Sequence, residues 1–176
     1  MSSRGPREYE ARIKPLALLG FMGAGKTLIG ALVAERARAQ FFDLDTMVED
    51  KAGMSIPEIF ATHSEEAFRA FEKATLPTVL KPGAVVALGG GVVIDDDNWR
   101  LVEEKATSVY LEVPFQVIWE RIHHLRGRPL IMNRTEAEVE ELLERRRPRY
   151  EQATHRVDGT QPPRELADEV LKLWYD

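Results

Sequence analysis

Short apolar segments alternate with longer amphipathic segments along this chain. Four of the apolar segments have the length and composition of buried strands, at residues 15–19, 41–44, 84–88 and 108–113. A fifth, short strand is predicted at residues 155–158. Because strands that are apolar on both faces and separated by helices are typical of parallel sheets, we expect the strands to run parallel.

The segments between the strands have the 3.6-residue period of helices that bury one face. Predicted helices cover residues 26–39, 95–105, 115–123, 135–147 and 163–176, and two or three more lie between residues 46 and 80, including 55–60 and 65–80. Thr135-Glu136-Ala137-Glu138 is a capping box, which marks the beginning of one of them. Residues 125–134 lack an apolar period and contain Gly127 and Pro129, so we expect a loop there.

Together these elements predict an α/β protein with three layers, a five-stranded parallel sheet with helices on both faces. No internal repeat or linker divides the chain. We therefore expect one domain over residues 11–176, preceded by a flexible N-terminus at residues 1–10.

The composition excludes several classes of protein. The 176 residues carry 24 Lys and Arg against 29 Asp and Glu, a net charge of −5, which argues against a nucleic-acid partner. The absence of Cys excludes disulfides, thiolate nucleophiles and Cys-bound zinc. No apolar run is long enough to span a bilayer and no secretory signal is visible, so we expect a cytoplasmic protein without a membrane partner.

The segment Gly20-Phe21-Met22-Gly23-Ala24-Gly25-Lys26-Thr27 fits G-x-x-x-x-G-K-[ST], the phosphate-binding loop. It follows an apolar strand and opens an amphipathic helix, which is the context that the chemistry requires. Glycines let backbone N–H groups surround phosphate oxygens, and Lys26 adds a cation for the β- and γ-phosphates. The Thr27 hydroxyl is a ligand of the kind that Mg²⁺ prefers. The segment predicts a nucleoside triphosphate site.

The chain lacks two features that are typical of other P-loop proteins, GTPases and ATPases. The chain has no Asn-Lys-x-Asp segment that would read guanine, and its third strand ends at Leu88 in glycines where ATPases carry an acidic residue. The remaining class is the small-molecule kinases, which hold ATP and an acceptor hydroxyl under a mobile lid.

Asp43 and Asp45 follow the second strand, two residues apart. Residues at this spacing on a strand face the same side, so we expect both carboxylates to point at the phosphate-binding loop. One would hold a Mg²⁺-bound water and the other would accept a proton from the acceptor hydroxyl. The alternative is that one of them caps the next helix.

Glycines and arginines supply the other candidates. Gly89-Gly90-Gly91 would leave backbone N–H groups free for a ligand, although a tight turn with positive φ would also explain glycine. Most arginines of the later segments are expected to be solvated, as are His123 and His124. A kinase for an acidic substrate nevertheless needs at least two cations, for which Arg is suited. The arginines concerned are Arg126, Arg128, Arg145, Arg146, Arg147 and Arg149.

Over residues 16–173 the chain resembles the shikimate kinase family. The motifs that carry the resemblance are GFMGAGKT at 20–27, FFDLD at 41–45, S-x-x-E-I-F at 55–60, FR at 68–69, LGGG at 88–91, RPL at 128–130, and R-x-P-x-Y at 146–150. The phosphate-binding loop is shared by many activities, whereas GGG, DLD, FR and R-x-P-x-Y together are far more specific.

The resemblance implies a P-loop kinase fold whose mobile lid covers about residues 124–134. It also implies ATP-dependent phosphorylation of the 3-hydroxyl of shikimate, giving shikimate 3-phosphate and ADP in chorismate and aromatic amino acid biosynthesis. The implied cofactors are ATP and Mg²⁺, and the implied state is a monomer.

On the nucleotide side, the resemblance places the phosphates in the loop formed by Gly23, Ala24, Gly25, Lys26 and Thr27. Thr27 would bind Mg²⁺ directly and Asp43 through water. Arg121 and Gln161 would lie near adenine, and Arg128 would reach the transferring phosphate from the lid. Leu28 stands where many relatives have a second hydroxyl residue, so one contact to the α-phosphate would be missing.

On the acceptor side, the resemblance assigns the ring hydroxyls and the proton of the 3-hydroxyl to Asp45. Arg69 and Arg146 would clamp the carboxylate, and Gly90 and Gly91 would offer backbone N–H groups. The residues implied to act in catalysis are Lys26, Asp45 and Arg128.

Three other functions remain open on the sequence alone. A gluconate-type kinase has a similar size, but GGG and the pair Arg69 and Arg146 favour a cyclic acid. A metabolite-sensing domain would need a DNA-binding domain, for which the residues before the first strand leave no room. An inactive homologue is disfavoured by intact Lys26, Asp45 and Arg128.

Overall fold

A five-stranded parallel sheet forms the centre of the computed structural model, which describes residues 13–125 and 128–176. The strands are β1 (Leu16–Leu19), β2 (Phe41–Asp43), β3 (Val85–Ala87), β4 (Thr107–Glu112) and β5 (His155–Asp158). Their order across the sheet is β2-β3-β1-β4-β5, and every pair is parallel. The predicted sheet is confirmed, whereas the flexible N-terminus predicted at residues 1–10 lies outside the described residues.

Helices cover the sheet and carry most of the side chains that matter below. They are α1 (Lys26–Ala37), α2 (Leu44–Ala52), α3 (Ile56–Thr62), α4 (Glu65–Val79), α5 (Asp96–Lys105), α6 (Phe115–Ile122), α7 (Glu136–Tyr150) and α8 (Pro163–Tyr175). The capping box at Thr135 and Glu138 is formed, and a second one joins Ser55 and Glu58 at the beginning of α3. Within the described ranges no helix is both long and apolar enough to cross a membrane.

Strand register brings the functional segments to one edge of the sheet. Ala87 of β3 pairs with Leu18 of β1 on one side and with Asp43 of β2 on the other. The chain continues past this line into the phosphate-binding loop after β1, into α2 after β2, and into the glycines after β3. Ligands of open parallel sheets bind at this edge, where the strands end.

Among the boundaries that differ from the prediction, two affect the site. Leu44 is not part of a strand, because the Asp43 side chain caps the N-terminus of a helix that begins at Leu44. Helix α7 was expected to end at Arg147 but runs through Pro148 to Tyr150. The extra turn is important because it places Tyr150 on the same helix as Arg146.

Candidate active site

The loop between β1 and α1 has the backbone that a phosphate cradle requires. Gly23 and Gly25 have φ values of 79° and 100°, in the left-handed region that favours glycine. A Cβ on Gly23 would lie 2.6 Å from Cγ2 of Ile122, so helix α6 also presses against the loop. Arg121 donates from Nη1 to the carbonyl of Gly23 over 2.9 Å. The loop is therefore held from outside as well as by its own turns.

Lys26 occupies the mouth of this loop. Its Nζ donates to the carbonyls of Gly20 and Phe21, at 2.7 and 2.9 Å. Burial lowers the pKa of Lys26 to about 8, although Asp45 and Asp43 act in the opposite direction. The ammonium group stands where it would meet terminal phosphates.

Asp43 performs two tasks with its two oxygens. Oδ1 accepts hydrogen bonds from the backbone N–H groups of Asp45 and Thr46, at 3.0 and 3.3 Å. Oδ2 accepts one from the Thr27 hydroxyl at 2.5 Å. Asp43 therefore caps α2 and also faces the phosphate-binding loop, while its role toward Mg²⁺ stays a prediction.

Thr27 and Asp43 together offer oxygens of the kind that Mg²⁺ binds. In the part of the chain that the structure describes, no group of three His, Cys, Asp or Glu side chains converges to hold a metal ion. A site with few protein oxygens suits Mg²⁺, which usually keeps several waters and takes further ligands from phosphates. The residues present thus fit a nucleotide-bound Mg²⁺ ion.

Asp45 lies in a different secondary-structure element from the one predicted. The expectation that it shares a strand face with Asp43 is wrong, because Asp45 lies in the first turn of α2. Its pKa is raised by burial and by Asp43, while Lys26 and Arg128 lower it. The carboxyl is consequently more basic than an ordinary Asp, which suits a proton acceptor.

Two adjoining cavities lie along the edge of the sheet. One of them, of about 740 Å³, is bordered by the phosphate-binding loop, Leu28, Arg121 and Gln161. We name it the nucleotide cavity after the ligand expected there from the sequence. The other, of about 360 Å³, is lined in part by Pro129 and Leu130, and we name it the acceptor cavity after the ligand expected there from the sequence. Both cavities are lined by a common set of residues, which we call the shared wall: Met22, Asp45, Gly89, Gly90 and Arg128.

The acceptor cavity contains an ion pair with a buried carboxylate that the sequence analysis did not predict. Arg69 donates from Nη1 to Oε2 of Glu72 at 2.7 Å and from Nη2 to Oε1 of Glu65 at 3.4 Å. Glu72 is 1% exposed, and burial raises its pKa to about 7 although Arg69 lowers it. The spacing of three residues on a helix was the available signal, since it places Glu72 beside Arg69.

The three glycines after β3 are explained by the close approach of neighbouring side chains rather than by a positive φ. Gly91 has a φ of −100°, and neither Gly89 nor Gly90 has a positive φ, so the positive-φ alternative is wrong. A Cβ on Gly89 would lie 2.9 Å from Oδ1 of Asp45, and one on Gly91 would lie 2.5 Å from Nη1 of Arg69. Glycine lets the backbone pass between the charged side chains of the site.

Arg146 is a further cation of the acceptor cavity, beside Arg69 and Arg128. It is 7% exposed, and its Nη1 is the one buried side-chain polar atom of the described ranges that has no hydrogen-bond partner. Its guanidinium lies 5.8 Å from the ring centroid of Phe21. A buried donor without a partner in the protein indicates an anionic ligand, because leaving such a group unpaired is costly.

The neighbouring arginines are less solvated than expected. Arg145 is exposed as predicted, but Arg147 pairs with Glu144 at 2.7 Å and with Glu112 at 3.4 Å. Arg149 pairs with Asp96 and lies 5.7 Å from the ring centroid of Trp99. The prediction of a mostly solvated run is therefore wrong for Arg147 and Arg149, because acidic partners from other elements reach them.

Several other predictions have mixed outcomes. Arg128 is exposed and belongs to the shared wall, whereas Arg126 lies outside the described residues. His123 and His124 are exposed as predicted. Residues 129–133 form hydrogen-bonded turns rather than a helix or strand, in agreement with the predicted loop.

Tyr150 is a second residue that had no assigned role in the sequence analysis. Its side chain is fully buried, and its hydroxyl donates to the carbonyl oxygen of Gly90. Its ring packs on that of Tyr110, with centroids 5.3 Å apart. The last turn of α7 therefore contacts the glycine segment through the Tyr150 hydroxyl.

Leu28 borders the nucleotide cavity and is 54% exposed. Gln161 donates from Nε2 to Glu169 at 2.7 Å. Both residues line this cavity, and their places beside the nucleotide stay predictions.

Comparison with known proteins gives a consistent result. The family model described as shikimate kinase matches residues 22–174. The shikimate kinase of Streptococcus gordonii is 40% identical over 161 residues, which cover 89% of this chain and 98% of the relative. A solved shikimate kinase from Acinetobacter baumannii, in complex with shikimate, has a TM-score of 0.89 and 31% identity, and the match covers 96% of each chain.

A gluconokinase from Sinorhizobium meliloti is also similar in structure, with a TM-score of 0.57 and 20% identity over 92% of this chain and 91% of the gluconokinase. At this identity the likeness shows the fold alone. It carries no argument for the gluconate alternative.

Proposed function

The chain belongs to the shikimate kinase family, and from this premise we propose that it transfers the γ-phosphoryl group of ATP to the 3-hydroxyl of shikimate. The products are shikimate 3-phosphate and ADP, in a step of chorismate and aromatic amino acid biosynthesis. The Acinetobacter relative, solved in complex with shikimate, supports this choice of acceptor.

The single observation that carries the proposal is the shared wall. A phosphoryl transferase must hold a donor and an acceptor close enough for in-line transfer, with no protein between them. Asp45 and Arg128 border both cavities, so a base and a cation stand at the boundary that the phosphoryl group has to cross.

The acceptor cavity suits a compact hydroxylated acid. Arg69 and Arg146 face it from helices α4 and α7, and together they would bind the carboxylate of shikimate. Gly90 and Gly91 line the same cavity and would add backbone N–H groups. Asp45, on the shared wall, would bind the ring hydroxyls and orient the 3-hydroxyl toward the nucleotide.

The nucleotide cavity would hold ATP by its phosphates. Backbone N–H groups from Gly23 to Thr27 and the N-terminus of α1 would surround the phosphates, with Lys26 at the terminal ones. Arg121 and Gln161 would lie near adenine. Leu28 offers no hydroxyl to the α-phosphate, so this contact would be absent.

Thr27 and, through water, Asp43 would hold Mg²⁺, which when bound neutralises phosphate charge. Lys26 and Arg128 would stabilise the charge of the transferring group from the protein side. Asp45 would accept the proton of the 3-hydroxyl, a role that its raised pKa suits. A lid at about residues 124–134 would close over both ligands and exclude water, which would otherwise compete as acceptor.

The protein would act as a cytoplasmic monomer without a nucleic-acid or membrane partner. Within the described ranges, residues from one chain surround both cavities. This arrangement supports a site that a single chain completes.

The test is ADP release with shikimate, compared with gluconate and a panel of other hydroxylated acids. We expect turnover with shikimate that exceeds the ATPase background by several orders of magnitude, and phosphorus NMR should show the new ester at the 3-position. Turnover with gluconate and none with shikimate would contradict the proposal.

A further inference from the structure

Tyr150 stands out among the buried polar side chains because the mechanism above does not use it. It is fully buried at the end of α7 and does not line either cavity. Its hydroxyl nevertheless donates to a backbone carbonyl of the shared wall, that of Gly90.

The geometry of a peptide bond links this contact to the acceptor cavity. The described ranges contain no cis peptide bond, so the Gly90 carbonyl and the Gly91 N–H point in opposite directions from one rigid plane. The carbonyl is held by a phenol in the core, which turns the N–H to the other side. That N–H donates to no acceptor in the part of the chain that the structure describes.

A glycine segment needs such a restraint more than most backbone does. Gly89, Gly90 and Gly91 have no side chains to limit rotation, so the peptide between Gly90 and Gly91 is free to turn unless something holds it. Hydrogen bonds from Val92 to Gly89 and from Ile94 to Gly91 fix the neighbouring carbonyls, at 3.2 Å each. The Gly90 carbonyl is fixed by Tyr150.

We propose that Tyr150 is a positioning residue for the acceptor, whose hydroxyl orients the Gly90–Gly91 peptide so that the Gly91 N–H faces the substrate carboxylate. The proposal rests on the function proposed above for the identity of that carboxylate. Arg146 lies on the last turns of the same helix, so α7 provides one cation directly and one backbone donor indirectly.

The test compares Tyr150→Phe with Tyr110→Phe, which removes a hydroxyl from the other ring of the same pair. In the free protein, we expect Tyr150→Phe alone to change the carbonyl ¹³C shift of Gly90 and the amide shift of Gly91. Near-wild-type values for both nuclei in Tyr150→Phe would overturn the proposal without any reference to substrate.

Substrate binding provides the second measurement. We expect Tyr150→Phe to raise both the calorimetric Kd and the KM for shikimate about tenfold with kcat nearly unchanged, as when one hydrogen bond to a charged group is lost. Tyr110→Phe should leave Kd and KM unchanged, and neither variant should change the affinity for ATP. Equal shikimate affinities for the two variants would also overturn the role of Tyr150.

The two proposals fail separately in this design. If the unaltered protein neither binds nor phosphorylates shikimate, the proposed function is wrong, while the NMR comparison still decides whether Tyr150 orients the peptide. A similar Tm for both variants would show that loss of affinity does not come from unfolding.

Discussion

Arg69 donates to Glu72 across 2.7 Å, and the two groups differ widely in their access to solvent. Glu72 is 1% exposed, whereas the side chain of Arg69 keeps 29% of its surface exposed. The buried carboxylate therefore anchors a cation whose other side remains open to the acceptor cavity. Because burial raises the pKa of Glu72 to about 7, ionisation of this carboxyl lowers the free energy of unfolding.

We expect Glu72→Gln to be more stable than the unaltered protein at high pH. A carboxyl whose pKa rises from 4.5 to about 7 on folding binds more protons in the folded chain, so its contribution to stability is present below pH 4.5 and lost as the pH rises through 7. Gln keeps the neutral form throughout. Thermal unfolding should give a Tm a few degrees higher for the variant at pH 8 and almost no difference at pH 4.5.

The same variant should bind shikimate about tenfold more weakly at pH 8, because Gln lacks the charge that holds Arg69 in place. Glu65→Gln is the matched control, since Glu65 contacts Arg69 at 3.4 Å from an exposed position. A lower Tm for Glu72→Gln at pH 8 would mean that the ion pair outweighs the burial of charge.

Gly91→Ala should displace the guanidinium of Arg69 without unfolding the chain. The new Cβ would lie 2.5 and 2.7 Å from Nη1 and Nη2 of Arg69, while a φ of −100° is open to alanine. We expect KM for shikimate to rise at least about tenfold, with ATP affinity retained. Gly90→Ala should raise KM less, because a Cβ on Gly90 would lie 3.3 Å from its nearest neighbour, Nη1 of Arg146. A larger rise in KM for Gly90→Ala than for Gly91→Ala would contradict this prediction.

Arg146→Met should abolish tight shikimate binding and leave the fold intact. Loss of a partner from a desolvated carboxylate is expected to cost about 2–5 kcal/mol, or about thirty- to several-thousand-fold in affinity. Glu72, the buried acid of this cavity, keeps its ion pair with Arg69 in the variant, so we expect Tm to change by a few degrees at most.

The control for Arg146 is the exposed Arg145→Ala, which should cost well under ~1 kcal/mol. Arg147 is unsuitable as a control because it joins Glu144 and Glu112. Calorimetry should measure the Kd for shikimate of the unaltered protein and of both variants. Equal affinities for the variants at 146 and 145 would show that the carboxylate is bound elsewhere.

Lys26 should take up a proton when ATP binds at alkaline pH. The pKa of Lys26 in the free protein is about 8, below the ordinary 10.5. Between pH 8 and 10.5 the unfolded chain therefore binds more protons than the folded chain, and the free energy of unfolding rises with pH. Phosphates favour the charged ammonium and draw its pKa upward. Binding enthalpies in buffers of different ionisation heat at pH 8.5 should reveal this uptake.

Lys26→Met should abolish both the proton uptake and phosphoryl transfer, whereas the exposed Lys51→Met should preserve both. Turnover close to normal in a folded Lys26→Met protein would remove the phosphate-binding loop from the mechanism.

Asp45→Asn and Asp43→Asn should affect different ligands. Asp45→Asn should lower kcat by about a hundredfold or more with ATP affinity unchanged, because it removes the proton acceptor. Asp43→Asn should raise the Mg²⁺ concentration needed for half-maximal rate, while Asn still caps α2. Loss of ATP affinity in Asp45→Asn would mean that the two roles are reversed.

The sequence predicted what depends on neighbouring residues in the chain. The strands, the capping box at Thr135 and the phosphate-binding loop follow from local patterns, and all are present. The position of Asp45 was not predicted because Asp43, the last residue of β2, is also a helix cap, so the next helix begins at Leu44, two residues earlier than expected.

Other features depend on partners that are distant in the sequence. Arg149 is paired because Asp96 reaches it from α5, and Arg147 because Glu112 reaches it from β4. The burial of Glu72 and the contact between Tyr150 and Gly90 likewise appear only when the elements are packed. Pattern alone contains no information about these pairings.

The shared wall has a consequence for inhibition. Since Asp45, Gly89 and Gly90 border both cavities, ligands in the two would touch each other rather than opposite faces of a partition. A bisubstrate compound that joins an acidic ring to an adenosine oligophosphate would lose translational freedom once instead of twice, and its second half would bind at an effective concentration of about millimolar or more. Its acceptor half would provide selectivity, because many unrelated enzymes bind nucleotides through the same loop.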